Sequence, residues 1–311
     1  MSTGNGKQLE KGFIPVMLTP FNERGEIDYD ALTELTEFYI ESGAVGLFAN
    51  CLSSEMFELT AGEQIKTTRH ITKIVNGRVP VVATGNFGET VEKQASFMKQ
   101  IHETGVEAVI IITSLLASKD TPDNVFMQNA MKLMECTDRI PVGFYECPVP
   151  YKRILQPAQL VPLLETHRVV YYKDTCLDID LVRAKIAAAA GFELKLYDAY
   201  LGHAVESLRS GSDGLSCIQG NFFPEIIVWM CRNYDNPQRR QQVDKVQSFF
   251  VENMTVMHAV YPTIAKYFLQ KRGLKMSTFS RTAGNTLNPN VKVKIDKLFN
   301  EYIDMKNELG L

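Results

Sequence analysis

Residues 141–146 read PVGFYE and residues 169–174 read VVYYKD. Both runs are apolar or aromatic at successive positions rather than at every second one. A strand covered on both faces, as in a parallel sheet, has that composition. Six other runs share it: FIPVML (13–18), GLFAN (46–50), PVVAT (80–84), AVIIIT (108–113), ELKLY (193–197) and GLSCI (214–218).

Between the runs the period changes to that of a helix. Val91, Ala95, Met98 and Ile101 fall at steps of four and three behind Glu89 and Thr90, where a helix should begin. Asp28 is placed to cap a helix carrying Leu32, Leu35 and Tyr39, and Asp178 one carrying Ile179, Val182 and Ile186. Pro122 sits where a first helical turn should start. Strict strand–helix alternation argues for an α/β fold with a parallel sheet. Eight such units in residues 12–235 predict a (β/α)₈ TIM barrel, for which about 250 residues is typical. The rival, an open doubly wound sheet, would carry a glycine-rich turn after its first strand, and none follows FIPVML. Residues 236–311 read as a C-terminal helical extension. Asn236-Pro237 opens a helix bearing Val243, Val246, Phe250 and Met257, and Tyr261 to Gln270 and Val291 to Leu309 form two more, parted by 273–290.

The 311 residues are 45% hydrophobic and 22% charged with a net charge of −3, an ordinary globular balance without a basic excess. Nucleic acid is therefore not an expected partner. The longest apolar run, AVIIITSLLA, is too short to cross a bilayer, and the opening MSTGNGKQLEKG lacks the apolar core of a signal peptide. A soluble, cytoplasmic protein is expected. Six cysteines show no CxxC pair and no metal-ligand spacing, so they are expected to be reduced thiols, with no metal site.

Lys173 ends a strand, and lysine is almost never buried without a partner. At the C-terminal end of a barrel strand, where barrel active sites are built, desolvation would lower its pKa and make it a nucleophile towards ketones. The plain alternative is a packed stem with its head in water, or a pair with Asp174. Tyr145 ends the preceding strand and could pass protons to and from the same substrate, or simply fill the barrel. Ser53 and Ser54 could hold a carboxylate. Asp198 could accept bonds from substrate hydroxyls or cap the next helix, and Ser216 in GLSCI joins the substrate-binding set. Lys152 and Arg153 could attract an acidic substrate, although a solvated loop pair is the plainer reading.

These segments resemble the dihydrodipicolinate synthase and N-acetylneuraminate lyase family of class I, Schiff-base-forming aldolases, over nearly the whole chain. GFIPVMLTPFNERGEIDYDALTELTEFYIESGAVGL is similar to the family's opening strand, turn and helix, and PVVATGNFGET to its strand-three glycine turn. FYECP carries the family's tyrosine, YYKDT its Schiff-base lysine, and the interval of 28 residues between them is the family's. GSDGLSCIQGNFFPE resembles its eighth-strand segment. The resemblance implies a cofactor-free lyase in which Lys173 forms a Schiff base with pyruvate or a sugar-derived 2-oxo acid, in a homotetramer.

Departures narrow this. The carboxylate loop reads Cys51, Leu52, Ser53, Ser54, Glu55, so a leucine replaces the hydroxyl of the proton relay. TSLLAS offers leucines, Leu116 among them, where the synthase has a tyrosine, and Pro150 aligns with the synthase's arginine. Dihydrodipicolinate synthesis is thereby disfavoured, while Tyr197-Asp198 resembles the lyase branch. A dehydratase of a sugar-derived 2-oxo acid would use the same intermediate. A non-catalytic, ligand-binding barrel remains the alternative from another class. Cys51, Cys147, Cys176 and Cys217 all fall at strand ends and should surround one mouth, as apolar lining or as a thiol-sensitive site.

Overall fold

A computed structural model describes residues 8–284 and 286–311. Among them, eight parallel strands follow chain order: β1 (Gly12–Phe13), β2 (Leu47–Ala49), β3 (Val81–Thr84), β4 (Ala108–Ile112), β5 (Val142–Tyr145), β6 (Val169–Asp174), β7 (Lys195–Asp198) and β8 (Gly214–Leu215). Each pairs with the next from β2 to β8, and β8 pairs with β1. A parallel bridge between Val16 and Phe48 links the chain after β1 to β2 and closes the ring. The protein is a (β/α)₈ barrel. FIPVML is a shorter strand than its apolar run suggests, because Pro15 has no N–H for the ladder. Its carbonyl still accepts from Phe48 N–H at 2.9 Å. At the β1–β8 seam the backbones approach closely, and a Cβ on Gly214 would stand 1.7 Å from the Gly12 carbonyl oxygen.

Helices α1 (Tyr29–Glu41), α2 (Ala61–Val75), α3 (Val91–His102), α4 (Asp123–Cys136), α5 (Pro157–Leu164), α6 (Ile179–Ala188), α7 (Ala204–Arg209) and α8 (Pro224–Asn233) follow the strands in turn. The Asp28 side chain caps α1, Thr90 caps α3 and Asp178 caps α6, each accepting from first-turn N–H groups. Pro122 stands one residue ahead of α4.

Three further helices follow: α9 (Arg240–His258), α10 (Thr263–Lys271) and α11 (Pro289–Leu309). Asn236 caps a 3₁₀ turn over Pro237–Arg239 that leads into α9, rather than capping the helix itself. Tyr261 precedes α10 instead of opening it. The ring of Phe223, just before α8, stacks on Phe250 and Tyr302, so the last helices lie against the barrel's final helix. Residues 1–7 of the polar opening, and residue 285 within the 273–290 connection, lie outside the described residues. Among the described residues no helix is long and apolar enough to cross a membrane.

Two apolar layers result from the pleat. Phe48, Ile110, Ile112, Tyr145, Tyr171 and Tyr197 fill the barrel interior, while Leu47, Val109, Ile111, Phe144, Tyr172 and Leu215 pack between the barrel and its helices. Successive strand side chains alternate between these layers. In β6, Tyr171 therefore faces inward, Tyr172 outward, Lys173 inward and Asp174 outward. That parity decides the site.

Candidate active site

A cavity of about 580 Å³ opens at the C-terminal ends of the strands. Lys173 and Tyr145 lie in its wall, with Leu52 and Ser53 from the turn after β2 and Ile218 and Gln219 after β8. Register sets Tyr145, Lys173 and Tyr197 side by side on β5, β6 and β7.

Lys173 is 4% exposed, and its Nζ stands 4.4 Å from the centroid of the Tyr145 ring and 5.7 Å from that of Phe48. Among the described residues no carboxylate pairs with it. Burial pulls the amine below its ordinary pKa, and Cys51, Cys147 and Cys217 oppose that pull. Burial also lifts the thiol of Cys147 to about 11 and that of Cys217 to about 12, so both are neutral near pH 7 and their opposition is small. The Tyr145 phenol is held well above its usual range by burial and then by Cys147, and so keeps its proton. A dry amine facing a protonated phenol can exchange a proton through a bound substrate.

Asp174 does not pair with Lys173. Its Oδ2 lies 2.7 Å from Nζ of Lys185, on α6, and Glu146 Oε1 lies 2.6 Å from the same nitrogen. All three side chains are fully buried. Glu146 also accepts from Tyr172 O–H and from the N–H groups of Leu155 and Thr175. Burial opposes the Lys185 charge, and the two carboxylates more than offset it, raising its pKa. Glu146 follows Tyr145 and Asp174 follows Lys173, so one ammonium ties together the strand ends that carry both inward groups. Lys185 is visible in the sequence only as a charge three residues after Val182, on the buried stripe of its helix.

The other expected residues separate. Ser53 borders the cavity. The Ser54 hydroxyl donates to the Met17 carbonyl at 2.7 Å and accepts from Cys51 N–H at 3.0 Å, so it is engaged in holding its turn. Asp198 follows the inward Tyr197 and so faces outward, where it accepts from Tyr200 N–H and lies 2.9 Å from His203 Nε2. It lies outside the cavity wall, for the same reason of parity. Ser216 is buried beneath, 3.2 Å from the Tyr171 hydroxyl. Lys152 is an exposed loop residue, as the plainer reading has it, whereas Arg153 is largely buried. Lys152 donates to the Thr175 carbonyl, and Arg153 pairs with Asp123 and caps the carbonyls of Ser118 and Thr121. Cys51, Cys147 and Cys217 are buried around Lys173, whereas Cys176 turns to the Asp178 carbonyl.

Tyr261 and Gln219 are among the wall residues that were not foreseen. Tyr261 enters from the extension and donates to Ser53 Oγ at 2.8 Å. Gln219 is 2% exposed, and its Oε1 has no hydrogen-bond partner among the described residues. Neither has a local signal, since one lies in what reads as a helix and the other in an apolar segment. Glu55 explains its place in the turn: its carboxylate pairs with Lys266 on α10 at 2.8 Å and accepts from the N–H groups of Arg281 and Thr282. The turn after β2 is thus fastened to the extension. Among the described residues no group of His, Cys, Asp and Glu could hold a metal ion.

Curated relatives include the 4-hydroxy-tetrahydrodipicolinate synthase of Bacillus velezensis, 25% identical over 262 residues, which cover 84% of this chain and 89% of that protein. The enzyme of the same name from Shewanella sp. is 26% identical over 220 residues, 71% of this chain and 73% of that one. Among solved structures, the Escherichia coli K12 prophage protein YagE, described as a dihydrodipicolinic acid synthase family member in complex with pyruvate, superposes with a TM-score of 0.83 at 20% identity. That alignment covers 94% of this chain and 98% of YagE, and at this identity it bears on the fold alone. The model of the dihydrodipicolinate synthetase family matches residues 9–301, and the chain belongs to that family.

Proposed function

We propose that the protein is a Schiff-base-forming aldolase or lyase acting on a 2-oxo acid through Lys173. The observation that carries this reading is a buried amine with no charge partner among the described residues, in the wall of a cavity and facing the ring of Tyr145. The neutral amine adds to the substrate ketone, and Tyr145 moves protons as the carbinolamine loses water to the iminium. The iminium withdraws electrons from the neighbouring carbon and stabilises an enamine, so a carbon–carbon bond is cleaved or formed. Ser53 and the N–H groups opening the 3₁₀ turn over Leu52–Ser54 are the donors for the carboxylate. Asp198 and Ser216 are left with supporting parts. Six free cysteines support a cytoplasmic setting.

The relatives' name favours a second reading, dihydrodipicolinate synthesis. Leu52 and Pro150 stand against it, because the relay hydroxyl and the arginine that the resemblance calls for are missing. Incubation with pyruvate and borohydride, followed by peptide mass mapping, tests the reading. A reduced pyruvyl adduct on Lys173 is expected. An unmodified Lys173 with saturating pyruvate would overturn the Schiff-base assignment. Detection of released pyruvate from hydroxylated 2-oxo acids then separates a lyase from a non-catalytic binder.

A further inference from the structure

We infer that Tyr261 is a positioning residue that orients the Ser53 hydroxyl as a donor to the substrate carboxylate, making the C-terminal extension part of the binding site. The inference rests on the proposed binding of a 2-oxo acid. It follows from the direction of a partly buried chain of hydrogen bonds.

The chain begins at Asn221, in the 3₁₀ turn after β8. Its Nδ2 lies 2.9 Å from the Val16 carbonyl, which can only accept, so the amide orientation is set by chemistry rather than by choice. Asn221 Oδ1 therefore faces Tyr39, whose hydroxyl donates to it. The second Nδ2 proton goes to the Tyr261 oxygen at 2.6 Å. Having accepted there, Tyr261 spends its own proton on Ser53 Oγ at 2.8 Å. Ser53 is thus an acceptor towards Tyr261, and its remaining proton meets no acceptor among the described residues. Ser53 is 3% exposed and borders the cavity. The chain of donors from Asn221 through Tyr261 to Ser53 consequently runs towards the cavity that Lys173 also lines.

An acceptor-only anion suits the end of such a chain, and a carboxylate is that group. Each bond polarises the next, so the terminal hydroxyl is a stronger donor than an isolated serine. Burial holds both phenols in their neutral form, which keeps the direction from reversing. Tyr261 is held in place by the fastening of Glu55 to Lys266 and the 281–282 backbone, which docks the extension on the turn that carries Ser53.

The test is borohydride trapping on the full-length protein over a range of pyruvate concentrations, with hydroxyacetone as a ketone lacking the carboxylate. Tyr261→Phe should raise the half-saturating pyruvate concentration about tenfold, the scale of one hydrogen bond to a charged group. The extent of trapping at saturation and the response to hydroxyacetone should stay as in the wild type. Ser53→Ala should match it, and the double variant should add little, since both act through one bond. Equal shifts for the two ketones, or additive shifts in the double variant, would overturn the inference. If Tyr261→Phe does not fold, the selective loss of pyruvate over hydroxyacetone in Ser53→Ala decides. If wild-type Lys173 is not trapped at all, the Schiff-base reading fails separately. Calorimetric titration of pyruvate into the wild type and both variants then judges the donor chain alone, and no binding to the wild type sinks it.

Discussion

Nζ of Lys185 lies 2.7 Å from Oδ2 of Asp174, one position beyond Lys173 in the same strand but on the opposite face of the barrel wall. At these two strand ends the outer residue is held by charge, and the inner residue lines the cavity. Glu146 repeats the arrangement beside Tyr145, and the same ammonium serves both.

Replacing Lys185 with Met removes the only counter-ion these two carboxylates have among the described residues. Breaking a buried pair costs about 3–5 kcal/mol, because the remaining charge stays desolvated. Urea unfolding of Lys185→Met at neutral pH should show a loss of that order. An unchanged midpoint would mean that this ion-pair cluster does not hold the fold together.

Lys173 is expected to weaken the fold that it serves. Burial lowers its pKa, so the folded state binds a proton less readily than the unfolded chain. Above the ordinary lysine value of about 10.4 both states are neutral and no cost arises. As pH falls from there, the unfolded chain protonates first, and the penalty grows until the folded pKa is passed. Lys173→Met should therefore be inactive, more stable than the wild type at neutral pH by about 1 kcal/mol, and close to it near pH 11. Calorimetric unfolding at the two pH values gives the comparison.

Gln219 presents an amide beside the cavity whose oxygen has no partner among the described residues. A buried acceptor left unmade costs about 1–3 kcal/mol, so Gln219→Leu should melt no lower than the wild type. A hydroxyl on the substrate would satisfy that amide. The KM for hydroxylated 2-oxo acids should then rise in the variant while that for pyruvate stays near its wild-type value. An equal rise for both would deny Gln219 a part in substrate recognition.

The thiols around Lys173 should be inert. Cys147 and Cys217 are buried and held near 11 and 12, far from the thiolate that reacts. Iodoacetamide at pH 7 should leave both unmodified in the folded protein, with turnover intact. Rapid loss of activity with alkylation of Cys147 would restore the thiol-sensitive mouth as the better reading.

Much of the architecture is legible in single segments. PVVAT, AVIIIT, PVGFYE and VVYYKD are strands because runs apolar at successive positions must be covered on both faces. Asp28, Thr90 and Asp178 start helices because their side chains satisfy first-turn N–H groups. FIPVML was harder, since its proline removes a ladder donor without altering its apolar character. The placement of Lys173 beside Tyr145 was legible as well, through strand-end position and the family resemblance. Ser54 and Asp198 were not, because a polar residue at a strand end or turn looks alike whether it faces a ligand or the backbone.

By itself the sequence determined the alternation of buried strands and capped helices, and with it a lysine and a tyrosine ending adjacent strands. Those are short-range consequences of apolar period and capping chemistry. Only the tertiary structure decided which residues share the cavity. The pleat sends Tyr197 inward and Asp198 outward, Lys185 arrives from a helix to claim Asp174, and Tyr261 reaches Ser53 across 208 positions of chain. Such partners are chosen by three-dimensional packing, and no local pattern of residue types encodes them.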